Sequence, residues 1–216
     1  MIDVIPAIIP KSALDLAKDV EKVKEFAGIV QVDIIDGKYA PSVSWPYVDQ
    51  KKIELPFKEN IQYEIDLMVS NPEDVWRKWV SAGASRIIIH LESTDKLKEI
   101  IDEFRKEELL YSQIGIALGV KTNTEEIYPY LEDIDFVQCM GSPNIGHHGE
   151  VFDEKVLEKI ADIKKRYVDI PIGVDIGMNE ETIPKVLAAG ASRVAVGSAL
   201  FGAEDIKSQY EHLSSL

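Results

Sequence analysis

Ile29-Val30-Gln31-Val32-Asp33-Ile34-Ile35-Asp36-Gly37 is a β-branched run that ends in a carboxylate and a glycine. Strand alternation puts Gln31 and Asp33 on one face and Val32 and Ile34 on the other. Seven similar runs lie along the chain, at residues 4–9, 61–69, 86–91, 114–120, 136–140, 172–176 and 193–200. Runs this short and rich in Val and Ile suit buried parallel strands. Between them lie helix-like segments. In one, Ala13, Leu14, Ala17, Val20, Val23 and Phe26 recur at helical spacing behind Ser12. Further helix starts are read at Asn71-Pro72-Glu73, at Thr94-Asp95, and at Asn179 followed by Glu180 and Glu181.

Eight strand-and-helix units predict one α/β domain over residues 1–216, a (β/α)8 TIM barrel of parallel strands with right-handed crossovers. The second unit is the weakest. Residues 37–56 carry three prolines and little helical period, so a long loop with at most a short helix is expected there. An open doubly wound sheet is the alternative, but the glycine-rich turn such a sheet often places after its first strand is replaced by Ile8-Ile9-Pro10-Lys11-Ser12.

Composition narrows the functional classes. The 216 residues are 45% hydrophobic and 29% charged, with a net charge of −14. That balance argues against a nucleic-acid or anionic-membrane surface, which rewards clustered Lys and Arg. The single cysteine, Cys139, lies in an apolar run and excludes an intrachain disulfide or a Cys-built metal site. No apolar run approaches membrane-spanning length, and no basic segment precedes a signal core, so the cytoplasm is the expected location.

In a barrel, polar residues at strand ends point to the reaction centre. Asp33 on strand two, Asp66 with Met68 on strand three, His90 and Glu92 at the end of strand four, and Asp175 on strand seven are such residues. Converging carboxylates repel, so a cluster of them binds a cation or holds a proton at raised pKa; the alternative is that some are helix caps or solvated loop acids. Gly177 and Gly197-Ser198 follow strands seven and eight, where such barrels often bind phosphate. Gly197 relieving crowding and Ser198 capping a helix is the other reading. Asn144-Ile145-Gly146-His147-His148-Gly149 follows strand six. This loop either closes over the site, donates to a phosphate or binds a metal, or is simply mobile and exposed.

Together these segments resemble the ribulose-phosphate 3-epimerase family from Pro6 to about Asp205. Val32 to Pro41 is similar to the family's D-V-M-D-G-x-F-V-P. Asp66-Leu67-Met68-Val69 with Asn71-Pro72-Glu73 is similar to H-L-M-V-x-x-P-E, and His90-Leu91-Glu92 to H-x-E. Val174-Asp175-Ile176-Gly177-Met178-Asn179 resembles V-D-G-G-V-N. Ala189-Gly190-Ala191 and Gly197-Ser198-Ala199-Leu200-Phe201-Gly202 resemble A-G-A and A-G-S-A-I-F-G.

The resemblance implies an isomerase that interconverts ribulose 5-phosphate and xylulose 5-phosphate by moving the C3 proton through an enediolate. It assigns the two acid/base roles to Asp33 and Asp175, and a phosphorylated sugar as the ligand. Phosphate contacts are expected at Gly146, Gly177, Gly197 and Ser198, and pocket contacts at Met68, His90, Met140 and His147. Self-association is expected as well, with Trp45, Tyr47, Trp76 and Trp79 read as exposed aromatics that would permit it.

The departures matter. The family's two metal-binding histidines are Gln31 and Asp66 here, leaving Gln31, Asp33, Asp66 and Asp175 as an oxygen-only set that favours Mg²⁺ or Mn²⁺ over Zn²⁺ or Fe²⁺. Ala7 stands for a serine, Ile176 for a glycine, and residues 142–149 replace N-P-G-F-G-G-Q. Two readings follow: an epimerase with an altered metal shell, or no metal at all, and a barrel that binds a phosphosugar without this chemistry or acts on a different one. Decarboxylase or aldolase chemistry fits less well, because Asp33 lacks the Asp-x-Lys partner and Lys38 sits on a loop.

Overall fold

A computed structural model describes residues 2–48, 53–107, 112–147 and 149–216. Eight strands form one closed barrel in sequence order: β1 (Asp3–Ile8), β2 (Ile29–Ile35), β3 (Gln62–Met68), β4 (Arg86–His90), β5 (Gln113–Leu118), β6 (Phe136–Met140), β7 (Ile172–Asp175) and β8 (Arg193–Val196). All neighbours are parallel, and β8 closes onto β1 with Pro6 paired to Val196.

The helices α1 (Ala13–Val23), α2 (Trp76–Ala82), α3 (Leu97–Lys106), α4 (Lys155–Arg166), α5 (Ile183–Ala189), α6 (Ser198–Phe201) and α7 (Ile206–Ser214) lie outside the strands or close their ends. No helix is found among the described residues between β2 and β3, as the prolines of that segment predict. A 3₁₀ segment, Thr124–Tyr130, replaces an α-helix between β5 and β6, and it carries Pro129, which has no N–H to donate.

Alternation divides each strand between two environments. Val30, Val32 and Ile34 of β2, Tyr63, Ile65 and Leu67 of β3, and Val194 and Val196 of β8 pack outward in one continuous apolar cluster with the helices. Each such side chain is buried, which contributes about 1.5–3 kcal/mol. The intervening residues face the barrel axis, and there the polar groups are concentrated.

Two readings of the sequence are corrected here. Ser12 does cap α1, accepting from the Asp15 N–H, but the buried stripe of that helix runs through Leu16, Val20 and Val23, while Leu14 is 64% exposed. The tryptophans read as exposed are core residues. Trp45, Trp76 and Trp79 are all buried, with Trp45 edge-on to Trp79 and Trp76 against Phe104, and Tyr47 is partly buried against the same core. In a β/α barrel the layer between strands and helices takes up large rings that look like surface residues in a polar helix. Cys139 is buried among the same apolar side chains. Among the described residues no helix is long and apolar enough to cross a membrane.

Candidate active site

The register of the central strands assembles the site. β2 and β3 pair with Asp33 beside Asp66, and β6 and β7 pair with Met140 beside Asp175. Because the barrel closes, the inward residues of β2, β3 and β7 meet across its interior. Gln31 makes the meeting explicit. Its Nε2 donates to Asp33 Oδ1 and to Asp175 Oδ2, both at 2.8 Å. Its other amide atom, Oε1, is buried with no hydrogen-bond partner. An amide has two donor hydrogens on one atom, so this orientation satisfies both carboxylates at once; the opposite one would set oxygen against oxygen.

Asp66 has different partners. His90 Nε2 lies 2.8 Å from its Oδ1, and Gln138 Nε2 donates to its Oδ2 at 3.3 Å. All five side chains, counting Gln31, Asp33, Asp175 and His90 with Asp66, are buried. One carboxylate oxygen from each of Asp33, Asp66 and Asp175 lies within 4.8 Å of the others. This Asp-rich group can bind a metal ion.

Electrostatics follow from that geometry. Burial pushes the Asp33 carboxyl well above the usual carboxylate range, and the charges of Asp175 and Asp66 push it further, against the Gln31 hydrogen bond. Burial and Asp66 likewise push Asp175 up to about 7, opposed by Gln31, by the Ile176 N–H and by His90. Two like charges confined together cannot both ionise freely, so each carboxyl makes the other harder to ionise. Burial alone would favour a neutral His90, but the charge and hydrogen bond of Asp66, with the charges of Glu92 and Asp175, together raise the imidazole above its ordinary value.

Above these groups lies a cavity of about 260 Å³. Asp33, Met68 and Asp175 line its floor. Gly146, His147, Ile176, Gly177, Gly197 and Ser198 are among the residues around its rim. Gly177 has φ +76°, and a Cβ there would come within 2.9 Å of Phe152 Cβ and 3.0 Å of its Cα. Glycine thus lets the loop after β7 pack closely beneath the segment after β6. Ile176 takes φ 75° without that freedom, a strained conformation for a β-branched residue.

The residues singled out in the sequence separate into two groups. Asp33, Asp175, Met68, His147 and the four proposed phosphate residues share the main cavity, and Gln31 and Asp66 lie at its base through the hydrogen bonds above. His90 and Met140 line a neighbouring cavity of about 180 Å³ instead. Ile145 packs against both the small cluster that holds Met68 and the one that holds Met140. His148 lies outside the described residues.

Several contributors went unnoticed in the sequence. Gln138 carries a readable signal, being a polar residue inside the 136–140 run on the face of Met140. Tyr39 carries none. It crosses from the β2–β3 loop to set its ring at a tilt against His90, 5.2 Å between centroids, and to donate to Glu92, which also accepts from Gly119 N and from the Thr122 hydroxyl.

The sequence profile of the ribulose-phosphate 3-epimerase family matches residues 3–201. The ribulose-phosphate 3-epimerase of Aquifex aeolicus is 30% identical over 194 residues, covering 88% of this chain and 85% of its own. That of Schizosaccharomyces pombe is 29% identical over 201 residues, covering 92% and 86%. Among solved structures, 3-hexulose-6-phosphate synthase from Salmonella typhimurium superposes with a TM-score of 0.72 at 16% identity, over 99% of this chain and 97% of its own. That last likeness concerns the fold alone.

Proposed function

The chain belongs to the ribulose-phosphate 3-epimerase family, and from that premise we propose that it epimerises a ketopentose phosphate at C3, with Asp33 and Asp175 as the acid and base. The observation that carries the reading is the Gln31 amide, shared at 2.8 Å with both carboxylates across the barrel. Inversion at a carbon needs one group to remove a proton from one face and another to return it on the opposite face. The C3 proton is acidic because the C2 carbonyl accepts the charge as an enediolate. A pair that shares one proton meets the requirement: the ionised member abstracts, the protonated member donates, and turnover exchanges their states. Gln31 donates to both, so it supports whichever carboxylate carries the charge.

The residues also fit a hard divalent cation. Asp33, Asp66 and Asp175 offer oxygen atoms within 4.8 Å of one another, and Gln31 would add its Oε1 to that set with its amide reversed from the orientation that donates to both carboxylates. Mg²⁺ or Mn²⁺ suits such a set better than Zn²⁺ or Fe²⁺. When bound, the ion supplies positive charge beside the developing oxyanion. At the other end of the cavity Gly146, Gly177, Gly197 and Ser198 form the phosphate cradle. Met68 supplies an apolar wall, while His90 acts through Asp66.

The test is ribulose 5-phosphate in D₂O with Mg²⁺ or Mn²⁺, followed by NMR. Deuterium at C3 and appearance of xylulose 5-phosphate are expected; no incorporation with either ion would end the proposal for this substrate. A second reading, another phosphosugar as substrate or ligand, draws support from Ile176 on the rim, where the family pattern has a glycine. Exchange with a different ketose phosphate, but none with ribulose 5-phosphate, distinguishes it.

A further inference from the structure

The main cavity has an unfavourable charge for an anionic ligand. Its lining includes the carboxylates of Asp33, Asp175 and Glu150 and, among the described residues, no lysine or arginine. The chain as a whole carries −14. Backbone N–H groups can hydrogen-bond a phosphate but bring no net charge. His147 is the one lining side chain able to carry a positive charge.

Its mounting is asymmetric. Gly146 before it is fixed: its carbonyl accepts from the Ser42 hydroxyl at 2.6 Å, and a Cβ on it would lie 3.0 Å from Ser42 Oγ and 3.2 Å from Ala40 Cβ. Gly149 after it has nothing within 4 Å of a Cβ position. Both glycines are left-handed, with φ 82° and 78°. The backbone is therefore anchored at Gly146, where it enters His147, while Gly149 has open space beside it. Glu150, on the same stretch, accepts from Asn144 Nδ2 at 3.0 Å, which draws its carboxylate toward the loop.

We propose that His147 is a specificity-determining residue, the cationic contact of this site for the phosphate group of a sugar phosphate, with Glu150 as its counterweight. The assignment rests on the phosphosugar reading above but concerns binding rather than proton transfer. It is tested by calorimetric titration of inorganic phosphate and of ribulose 5-phosphate into wild type, His147→Gln, His147→Lys, His148→Gln and Glu150→Gln. A lost charge-assisted hydrogen bond predicts about tenfold weaker binding of both ligands to His147→Gln. Retained affinity is expected in His147→Lys and His148→Gln, and severalfold tighter binding in Glu150→Gln. Where turnover is measurable, KM should rise in His147→Gln with kcat little changed.

Binding by His147→Gln within twofold of wild type, or a loss that follows His148→Gln instead, overturns the proposal. His147 is exposed, so thermal melts matching wild type are expected and exclude misfolding as the cause. The outcomes separate the two claims. Phosphate binding that depends on His147 in a protein with no C3 exchange retains this inference and rejects the epimerase reading. Exchange with His147→Gln binding unchanged does the reverse.

Discussion

Buried carboxylates occupy both ends of the barrel interior, and they meet opposite conditions. Near the N-terminal ends of the strands, Glu64 is ion-paired with Arg193 and has Arg86 at 3.5 Å, while Arg193 also lies 4.4 Å above the Phe136 ring. Burial raises the Glu64 carboxyl, and both guanidinium groups pull it back. Two residues further along the same face of β3, Asp66 joins Asp33 and Asp175, where the nearest carboxylates reinforce burial instead of opposing it. One end neutralises its charge with permanent cations and acts as a plug. The other leaves a proton or a cation to complete it, which is what a reaction centre requires.

The contrast is broken most completely at the mouth. Asp33→Asn and Asp175→Asn should each lower kcat by about 10³-fold or more, since each removes one of two obligatory proton carriers. Both should nevertheless melt higher than wild type at neutral pH without added cation, because a like charge has been removed. A variant that loses activity and also melts lower would mean that the mouth is held together like the floor. At that floor, Arg193→Met leaves Glu64 buried with one distant partner. It should cost about 3–5 kcal/mol in denaturant unfolding, while kcat per folded molecule stays near wild type.

A pH series sharpens the comparison. Asp33 and Asp175 hold protons more tightly when folded than when unfolded, so folding takes up protons. Their stabilising contribution is complete below about pH 4 and is lost as the pH rises through about 7. In chelator-treated protein, unfolding free energy should therefore fall across that window, by on the order of 3–4 kcal/mol for Asp175 alone. Asp175→Asn should flatten the slope, and a flat wild-type profile would contradict the shared-proton description. The smallest effect is expected at Ile176. Relief of its left-handed backbone should offset the lost packing, leaving Ile176→Gly within about 1 kcal/mol of wild type. A loss above about 2 kcal/mol would argue that the backbone there is not strained.

Much of the site was legible from parity. Asp33 with Gln31 and Asp66 with Met68 share faces because strand side chains alternate, and closure then sends those faces inward. What parity cannot supply is the neighbour. Glu64 and Asp66 have the same residue chemistry, strand and face, yet tertiary contacts bring Arg193 to one from β8 across the barrel and His90 to the other from the neighbouring β4. The tryptophans failed for a related reason. Their local context is polar, and their burial depends on the strand layer beneath.

The sequence by itself determined the eightfold alternation, the helix-poor second unit and the strand-end placement of the three aspartates, all properties of local periodicity and chain stiffness. Only the tertiary structure decided that one glutamine amide spans Asp33 and Asp175, that Met140 and His90 line a different cavity from those two carboxylates, and that Glu64 is a plug. Those outcomes depend on contacts between residues as much as 144 positions apart, which barrel closure and register create and no local pattern encodes.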